Sequence, residues 1–217
     1  MENKRRDRKR NPARRAPSKN PKRRLLIVCE GKVTEPDYFR GFERWARNNT
    51  VEIVIPNQHG VPLTLVRRAE KLKYDAESDA KREDDPFLSF DEVWCAFDVD
   101  EHPNLNDARQ LAAARGIELA VSNPCFELWL WLHFRDSPGA RHRHDLQRMV
   151  RDHLPDYDKH LHFDQVSEGF TDASRRARRL HEDAQAEGEP DRNPTTSVFR
   201  LTESISRNDS APSVAGR

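Results

Sequence analysis

The run LLIVC at residues 25–29, followed by PDYFRGFERWAR at residues 36–47, decides the fold. A short, uniformly apolar run is typical of a strand that is buried on both faces of a parallel sheet. The second stretch places apolar residues three and four positions apart, and the Thr-Glu-Pro at residues 34–36 is typical of a helix N-terminus. The two stretches therefore predict a buried strand and then a helix that covers the sheet.

The alternation of strand and helix continues along the chain. Further strands are predicted at residues 51–55 (VEIVI), 92–97 (EVWCAF) and 117–121 (IELAV), and helices at about 62–82 and 106–115. Gly116 is expected to close the second of these helices in the left-handed conformation. This β-α-β-α-β-α-β order predicts a doubly wound α/β fold, with a mostly parallel four-stranded sheet flanked by helices.

The last third of the chain is predicted to be helical, at about residues 125–134, 141–154, 171–186 and 193–206. Asn123-Pro124 is expected to cap the first of these helices, and Asn193-Pro194 to open the last. The sequence CFELWLWLHF of the first helix is apolar on nearly every face. Such a helix has to be buried against the sheet or at an interface with a partner.

Charge divides the chain into a basic start and an acidic body. The 217 residues include 38 Lys or Arg and 37 Asp or Glu, but twelve of the basic residues lie in residues 1–24, which leaves residues 25–217 with a net charge of −9. We predict a disordered basic arm at 1–24, a single α/β domain with C-terminal helices at 25–206 and a disordered tail at 207–217. The arm can lie along nucleic acid, or serve only as a solubilising tail.

Composition argues against several classes of protein. No apolar run approaches the roughly 18 residues that cross a bilayer, and no signal peptide follows the basic start. The three cysteines are odd in number and lack C-x-x-C spacing, which disfavours a disulfide framework or a thiolate zinc site. The histidines between residues 142 and 162 include an H-x-H spacing, but their polar surroundings do not favour zinc. A cytoplasmic protein is expected.

Acidic residues follow two of the predicted strands: Glu30 follows the first, and Asp98 and Asp100 follow the third. Ligands of doubly wound sheets bind outside the carboxyl ends of the strands. If the strand order begins 2-1-3, the first and third strands are neighbours and the three carboxylates converge. Side chains two positions apart in an extended segment point the same way, so the two aspartates can share a cation. Oxygen ligands suit Mg²⁺ or Mn²⁺, which also bind phosphate oxygens, so the predicted substrate is a phosphate ester.

Four further residues are candidates for the same site. Gly31 lets a phosphate backbone come close, and Lys32 is either a phosphate contact or a solvated turn residue. Glu127 is either an additional metal ligand or a carboxylate that the helix N-terminus favours. Asn123 is first a helix cap, with a substrate contact as the alternative. Each motif is weak alone, because acids at strand ends also cap helices, and D-x-D occurs in phosphatases of the haloacid dehalogenase type and in glycosyltransferases.

The Glu-Gly after the first strand and the D-x-D after the third resemble the Toprim domain of topoisomerases, primases and overcoming-lysogenization-defect nucleases. That resemblance implies a Toprim-like (Rossmann-like) fold, in which Glu30 acts in proton transfer while Asp98 and Asp100 hold the metal.

A closer resemblance covers residues 25 to about 205. The motifs CEGKVTEPDYF at 29–39, DVD at 98–100, SNPCFELWL at 122–130 and NPTTSV at 193–198 are similar to those of the RloB-like family. Members of this family are Toprim-like proteins of bacterial abortive-infection and defence loci, encoded beside an ABC-type or AAA-type ATPase called RloA. The resemblance implies such an ATPase as partner.

Together these observations predict a Mg²⁺-dependent nuclease that cleaves phosphodiesters in DNA or RNA, with tRNA as one option, as the effector of an anti-phage system. Catalysis is assigned to Glu30, Asp98 and Asp100, and metal binding to these three and Glu127. Two alternatives stay open. One is a phosphatase or phosphotransferase that uses the same carboxylates on a small molecule, and the other is a non-catalytic adaptor that docks on the ATPase.

Overall fold

The computed structural model describes residues 22–99 and 104–207. Its sheet has five strands, in the order β2-β1-β3-β4-β5. The strands are Arg23–Cys29 (β1), Val51–Val54 (β2), Glu92–Asp98 (β3), Glu118–Asn123 (β4) and Thr195–Thr196 (β5). The first four are parallel to one another, which confirms the predicted α/β fold and makes β1 and β3 neighbours.

The fifth strand corrects the predicted four-stranded sheet. β5 is antiparallel to β4, so the sheet is mixed, and residues predicted to open the last helix form a strand instead. Hydroxyl groups hold this strand in place: the Ser122 and Thr196 hydroxyls form a hydrogen bond of 2.8 Å, and the Val121 N–H donates to Ser197 Oγ over 2.8 Å. A strand of two polar residues has no apolar pattern from which it could be predicted.

Seven α-helices accompany the sheet within the described ranges. They are Thr34–Ala46 (α1), Pro62–Glu83 (α2), Leu105–Arg115 (α3), Glu127–Leu132 (α4), Arg143–Arg151 (α5), Phe170–Ala186 (α6) and Val198–Ser206 (α7). Short 3₁₀ turns occupy Pro86–Leu88, Phe163–Gln165 and Ser167–Gly169. Gly116 follows α3 with a φ of 58°, so the predicted left-handed cap is confirmed.

The helices form a layer on each face of the sheet. On β1, Leu25 and Ile27 face the layer that contains α1 and α4 to α7, whereas Leu26 and Val28 face α2 and α3. These four side chains are at most 1% exposed, so the apolar run is buried on both faces as predicted.

The predicted helix at 125–134 is shorter and begins later than expected. α4 starts at Glu127 with Phe126 at its N-cap, while Asn123 belongs to β4 and donates from its side-chain amide to the carbonyl of Asp191 over 2.5 Å. The predicted cap at Asn123 is therefore wrong. The Asn123-Pro124 and Asn193-Pro194 peptide bonds are both cis. Most of α4 lies in the core of the chain itself, so its apolar sequence is explained without a partner.

The described ends of the chain join the sheet. β1 begins at Arg23, two residues before the predicted strand, and the Arg23 guanidinium donates to the carbonyl of Ser204 in α7 over 2.5 Å. Arg207, the first residue of the predicted tail, pairs with Glu92 at 2.6 Å. The arm thus loses its last two residues to β1. Residues 1–21 and 208–217, which carry the remaining predictions of disorder, lie outside the described residues.

The three cysteines are buried and none forms a disulfide, and burial raises the pKa of the Cys95 thiol to about 12. Over residues 22–99 and 104–207, no helix combines the length and apolar character that a membrane span requires.

Candidate functional site

A polar cavity of about 300 Å³ opens where β1 and β3 end and where α1 and α4 begin. It is lined by Glu30, Gly31, Lys32, Val33, Thr34, Glu35, Asp98, Phe126, Glu127, Arg143 and Lys159. The carboxyl ends of strands are the expected ligand position in this type of sheet. Four carboxylates and three cationic side chains therefore share one small volume, which we call the acidic pocket.

Glu30 joins the ends of the two central strands. It directly follows β1, and its N–H donates to the carbonyl of Ala96 on β3 over 2.8 Å. Its Oε2 atom accepts the N–H of Asp98 at 3.0 Å. The two predicted acidic residues thus come together because β1 and β3 are adjacent and parallel.

Gly31 is required by the position of Glu35. The Gly31 N–H donates to Oε1 of Glu35 over 3.1 Å, and a Cβ at residue 31 would lie 2.0 Å from Oε2 of the same carboxylate. Glu35 lies in the first turn of α1, where the helix N-terminus favours negative charge. A side chain at residue 31 would therefore displace an acid of the pocket.

Asp98 is the last residue of β3 and is buried. Its Oδ2 atom lies 3.4 Å from the Arg143 guanidinium, which α5 contributes. Burial raises the pKa of Asp98 well above its usual value, and the charges of Glu35, Glu127 and Glu30 raise it further, while Arg143 opposes the shift. The pocket thus contains more negative charge than its own cations balance at this carboxylate.

Glu127, in contrast, has a cation of its own. Its Oε1 atom accepts from the Lys159 ammonium at 2.7 Å and from the Tyr157 hydroxyl at 3.1 Å, although its side chain is only 4% exposed. Burial acts to raise the pKa of Glu127, but the Lys159 ammonium outweighs burial and the net shift is downward. Glu127 is therefore an ionised carboxylate that holds Lys159 at the pocket.

The backbone at Lys159 is in an uncommon conformation. Its φ is 94°, in the left-handed region that a side chain with a Cβ rarely adopts. The Thr34 hydroxyl, at the start of α1, donates to the Lys159 carbonyl over 2.9 Å. This hydrogen bond and the ion pair with Glu127 over-determine a strained residue, a combination that is frequent at functional sites.

The charge of Glu35 should reduce the stability of the folded chain at neutral and higher pH. Burial is the main cause that raises the pKa of Glu35 above 4.5, and the charges of Glu127 and Glu30 add to it. A raised pKa means that the folded state binds this proton more tightly than the unfolded state, so stability falls as pH rises and Glu35 ionises. We expect Glu35→Gln to raise the thermal midpoint by about 2–4 °C at about pH 8, with a smaller gain at about pH 5.

Thermal unfolding of wild type and variant at both pH values measures this effect. Glu182→Gln, at an exposed position of α6, is the matched control and should leave the midpoint unchanged at both pH values. A Glu35→Gln midpoint below that of the wild type at the higher pH would show that the fold stabilises the Glu35 charge.

The donor set of the acidic pocket fits a hard divalent cation. Mg²⁺ usually binds one or two carboxylates and keeps several waters, and like-charge repulsion within the pocket favours any cation that enters. Within the described ranges no three His, Cys, Asp or Glu side chains are arranged as ligands of one metal ion. Asp98 and Glu30 are the described pair that lies closest in sequence to the prediction, and Asp100 lies outside the described residues.

The structure brings together most of the predicted site residues. Glu30, Asp98, Glu127, Gly31 and Lys32 all line the acidic pocket. Asn123 does not line it, because its amide binds the segment that leads into β5.

Three residues of the pocket were not predicted: Glu35, Arg143 and Lys159. Glu35 carried a signal, since a second acid follows Glu30 by five residues, but it had been interpreted only as part of a helix start. Arg143 and Lys159 reach the pocket from distant segments and follow no motif.

Comparison with known proteins agrees with the motif pattern. The family model described as RloB-like protein matches residues 25–205. A comparison with curated proteins gives no match. Because the family model covers more than half of the chain, this chain belongs to the RloB-like family.

Proposed function

We propose that this chain is a metal-dependent, Toprim-like nuclease that cleaves phosphodiester bonds in DNA or RNA. One observation carries the proposal: Glu30, Glu35, Asp98 and Glu127 line one pocket at the carboxyl ends of β1 and β3, beside the cations of Arg143 and Lys159. Carboxylates bind a divalent metal, and cationic side chains bind the phosphate oxygens that the metal leaves exposed.

Residues of the pocket divide the chemistry among them. Asp98, with Asp100 and Glu30, would hold Mg²⁺ or Mn²⁺, which when bound stabilises charge on the phosphate under attack. Glu30 is the proposed proton-transfer group, since its Oε2 is fixed by the Asp98 N–H at a position beside the metal ligands. Glu127 was predicted as a metal ligand, but its pairing with Lys159 favours a role in orienting that lysine.

The cations of the pocket would bind the substrate. Lys159 is half exposed, with 49% of its side chain accessible, and Lys32 is exposed at the rim. Ammonium groups at these positions can contact non-bridging phosphate oxygens without leaving the pocket. Arg143 is closer to Asp98 and would hold that carboxylate in its ionised form.

Membership in the RloB-like family supports the biological setting of the proposal. The proposed partner is an RloA-type ATPase, and the proposed role is that of the effector in an anti-phage abortive-infection system. DNA and RNA, including tRNA, are both substrates that the pocket can accommodate, because the proposed contacts involve phosphate groups.

A single assay tests the proposal against its two alternatives. The protein is incubated with plasmid, total RNA and p-nitrophenyl phosphate, in Mg²⁺, Mn²⁺ or EDTA, with and without the ATPase encoded beside it. Cleavage of a polymer that requires the metal supports the nuclease. Hydrolysis of p-nitrophenyl phosphate alone selects a small-molecule phosphatase, and no turnover in any combination selects the adaptor.

The basic arm should contribute charge to nucleic-acid binding. Residues 1–21 carry nine Lys or Arg and two acidic residues, whereas Arg23 is part of β1 and has to be kept. Deleting residues 1–21 should weaken binding and flatten its dependence on salt, by about 0.7 in the slope of log K against log salt for each lost contact to a single strand. Fluorescence anisotropy over a salt series measures both quantities. An unchanged slope would return the arm to a solubilising role.

A further inference from the structure

A second cavity lies near the C-terminal end of α1, on the same side of the molecule as the segment that carries Lys159. Its volume is about 580 Å³. It is lined by Gly41, Arg44, Trp45, Arg47, His162, Phe163 and Asp164. None of these residues lines the acidic pocket, and no step of the proposed function uses them.

Trp45 presents a rigid aromatic face to this cavity. Its side chain is 43% exposed, yet its ring packs on Phe163 at 5.5 Å, on Phe170 at 5.4 Å and on Phe42 at 5.8 Å between centroids. An exposed tryptophan whose ring is already fixed by neighbours can stack on a planar group at a low entropic cost. Every nucleobase offers such a face.

Two arginines flank the exposed ring. Arg44 and Arg47 are both exposed, and neither forms an ion pair or hydrogen bond with any residue in the described ranges. Asp164 is the single carboxylate of the lining, against two guanidinium groups. On a body with a net charge of −9 over residues 25–217, this pairing of cations with an aromatic face is the combination that binds single-stranded nucleic acid.

The cavity is continuous with the acidic pocket along two chain segments. Helix α1 begins at the acidic pocket with Thr34 and reaches the cavity at Trp45, about 16 Å along its axis. The segment 159–164 runs beside α1 and lines the acidic pocket at its first residue and the cavity at its last three. Asp37 of α1 fixes this segment by contacts with the His160 ring at 3.2 Å and the Leu161 N–H at 3.4 Å.

We propose that this cavity is a base-binding subsite, in which Trp45 stacks on a nucleobase of a single-stranded substrate while Arg44 and Arg47 contact its phosphates. At about 3.4 Å per nucleotide, the separation corresponds to roughly five nucleotides from the scissile phosphate. The inference rests on the proposed function, and it specifies the substrate as a single strand or an unpaired loop.

Binding of a fluorescein-labelled oligonucleotide in EDTA tests the subsite without cleavage. We expect Trp45→Ala in the full chain to weaken binding by roughly fivefold or more, the loss that removing one stacked base produces. Trp45→Phe, which keeps an aromatic ring in the cluster, should restore part of the affinity. Tyr74→Ala is the matched control, because Tyr74 is 69% exposed beside Lys71 and Lys73 but borders a different cavity; it should leave affinity unchanged.

The arginines provide a second test that does not disturb the aromatic cluster. Arg47 has a φ of 48°, in the left-handed region that favours glycine, so Arg47→Gly removes the charge and relieves the backbone. Combined with Arg44→Ala, it should lower the slope of log K against log salt by up to about 1.4 for a single strand.

Outcomes for the subsite and for the nuclease can be separated. Equal affinity of wild type and Trp45→Ala, or no binding of the oligonucleotide by the wild type, overturns the subsite, whether or not Mg²⁺ supports cleavage of a polymer. Loss of self-association in Trp45→Ala with unchanged affinity also overturns it and assigns the surface to contacts between copies of the chain. The expected affinity losses together with no metal-dependent cleavage keep the subsite and overturn the nuclease.

Discussion

Replacing Asp98 with asparagine is expected to abolish phosphodiester cleavage, with a loss of roughly 1,000-fold or more. Asp98 is the buried carboxylate at the centre of the acidic pocket, and an amide cannot neutralise the charge of a divalent cation. The fold should survive, because the amide oxygen is still an acceptor for Arg143 and the backbone N–H still donates to Glu30. Removing a charge whose pKa is raised by burial and by three neighbouring carboxylates should leave the thermal midpoint equal or higher.

Two measurements on the same preparation check this prediction, namely the cleavage rate in Mg²⁺ and the thermal midpoint. Asp107→Asn is the matched control, since Asp107 is exposed on α3. It should cleave at the wild-type rate. Asp100→Asn, from the same D-x-D motif, is expected to behave like Asp98→Asn. Cleavage by Asp98→Asn at the wild-type rate would remove Asp98 from the metal site.

The sequence predicted the parallel part of the sheet because its strands are buried on both faces. Leu25 to Cys29 and the strand around Trp94 and Cys95 have no polar interruption, and such runs have few other solutions in a chain of this size. The glycine after α3 and the regular spacing of apolar residues in α1 are local features, and local features survive in the structure. The order of the strands followed from the right-handed connections that such units adopt.

The errors lie where structure depends on long-range contacts. β5 consists of Thr195 and Thr196, whose hydrogen bonds go to β4, more than seventy residues earlier in the sequence. Asn123 was predicted as a cap from its position before a proline, but the partner of its amide is the distant Asp191. In both cases a polar side chain satisfies a group that the local sequence does not identify.

The same distinction applies to the candidate site. The acids at the ends of β1 and β3 could be predicted, because adjacent parallel strands bring their ends to one edge of the sheet. Lys159 could not, since it reaches Glu127 across 32 residues from a segment without regular structure, and Arg143 reaches Asp98 across 45. Charge balance offered the only hint: four acids in one pocket require cations from elsewhere in the chain.

Replacing Glu30 with glutamine should separate proton transfer from metal binding. The Gln side chain keeps the shape of Glu and an oxygen that can accept the Asp98 N–H, so the ends of β1 and β3 should stay joined. Only the charge and the capacity to take up a proton are lost. We expect cleavage to fall by roughly 100- to 10,000-fold, the range for removal of a general acid or base, while Mn²⁺ affinity changes by only a few fold.

Calorimetric titration with Mn²⁺ and the cleavage rate, measured on wild type, Glu30→Gln and Asp98→Asn, decide the role of Glu30. The aspartate reaches the pocket from β3 and the glutamate from β1, so the ion can stay with the D-x-D segment when Glu30 loses its charge. If Glu30→Gln loses Mn²⁺ as completely as Asp98→Asn, then Glu30 is a metal ligand. If it loses neither Mn²⁺ affinity nor turnover, the Toprim-like assignment fails, because that assignment requires the acid after the first strand to take part in the chemistry.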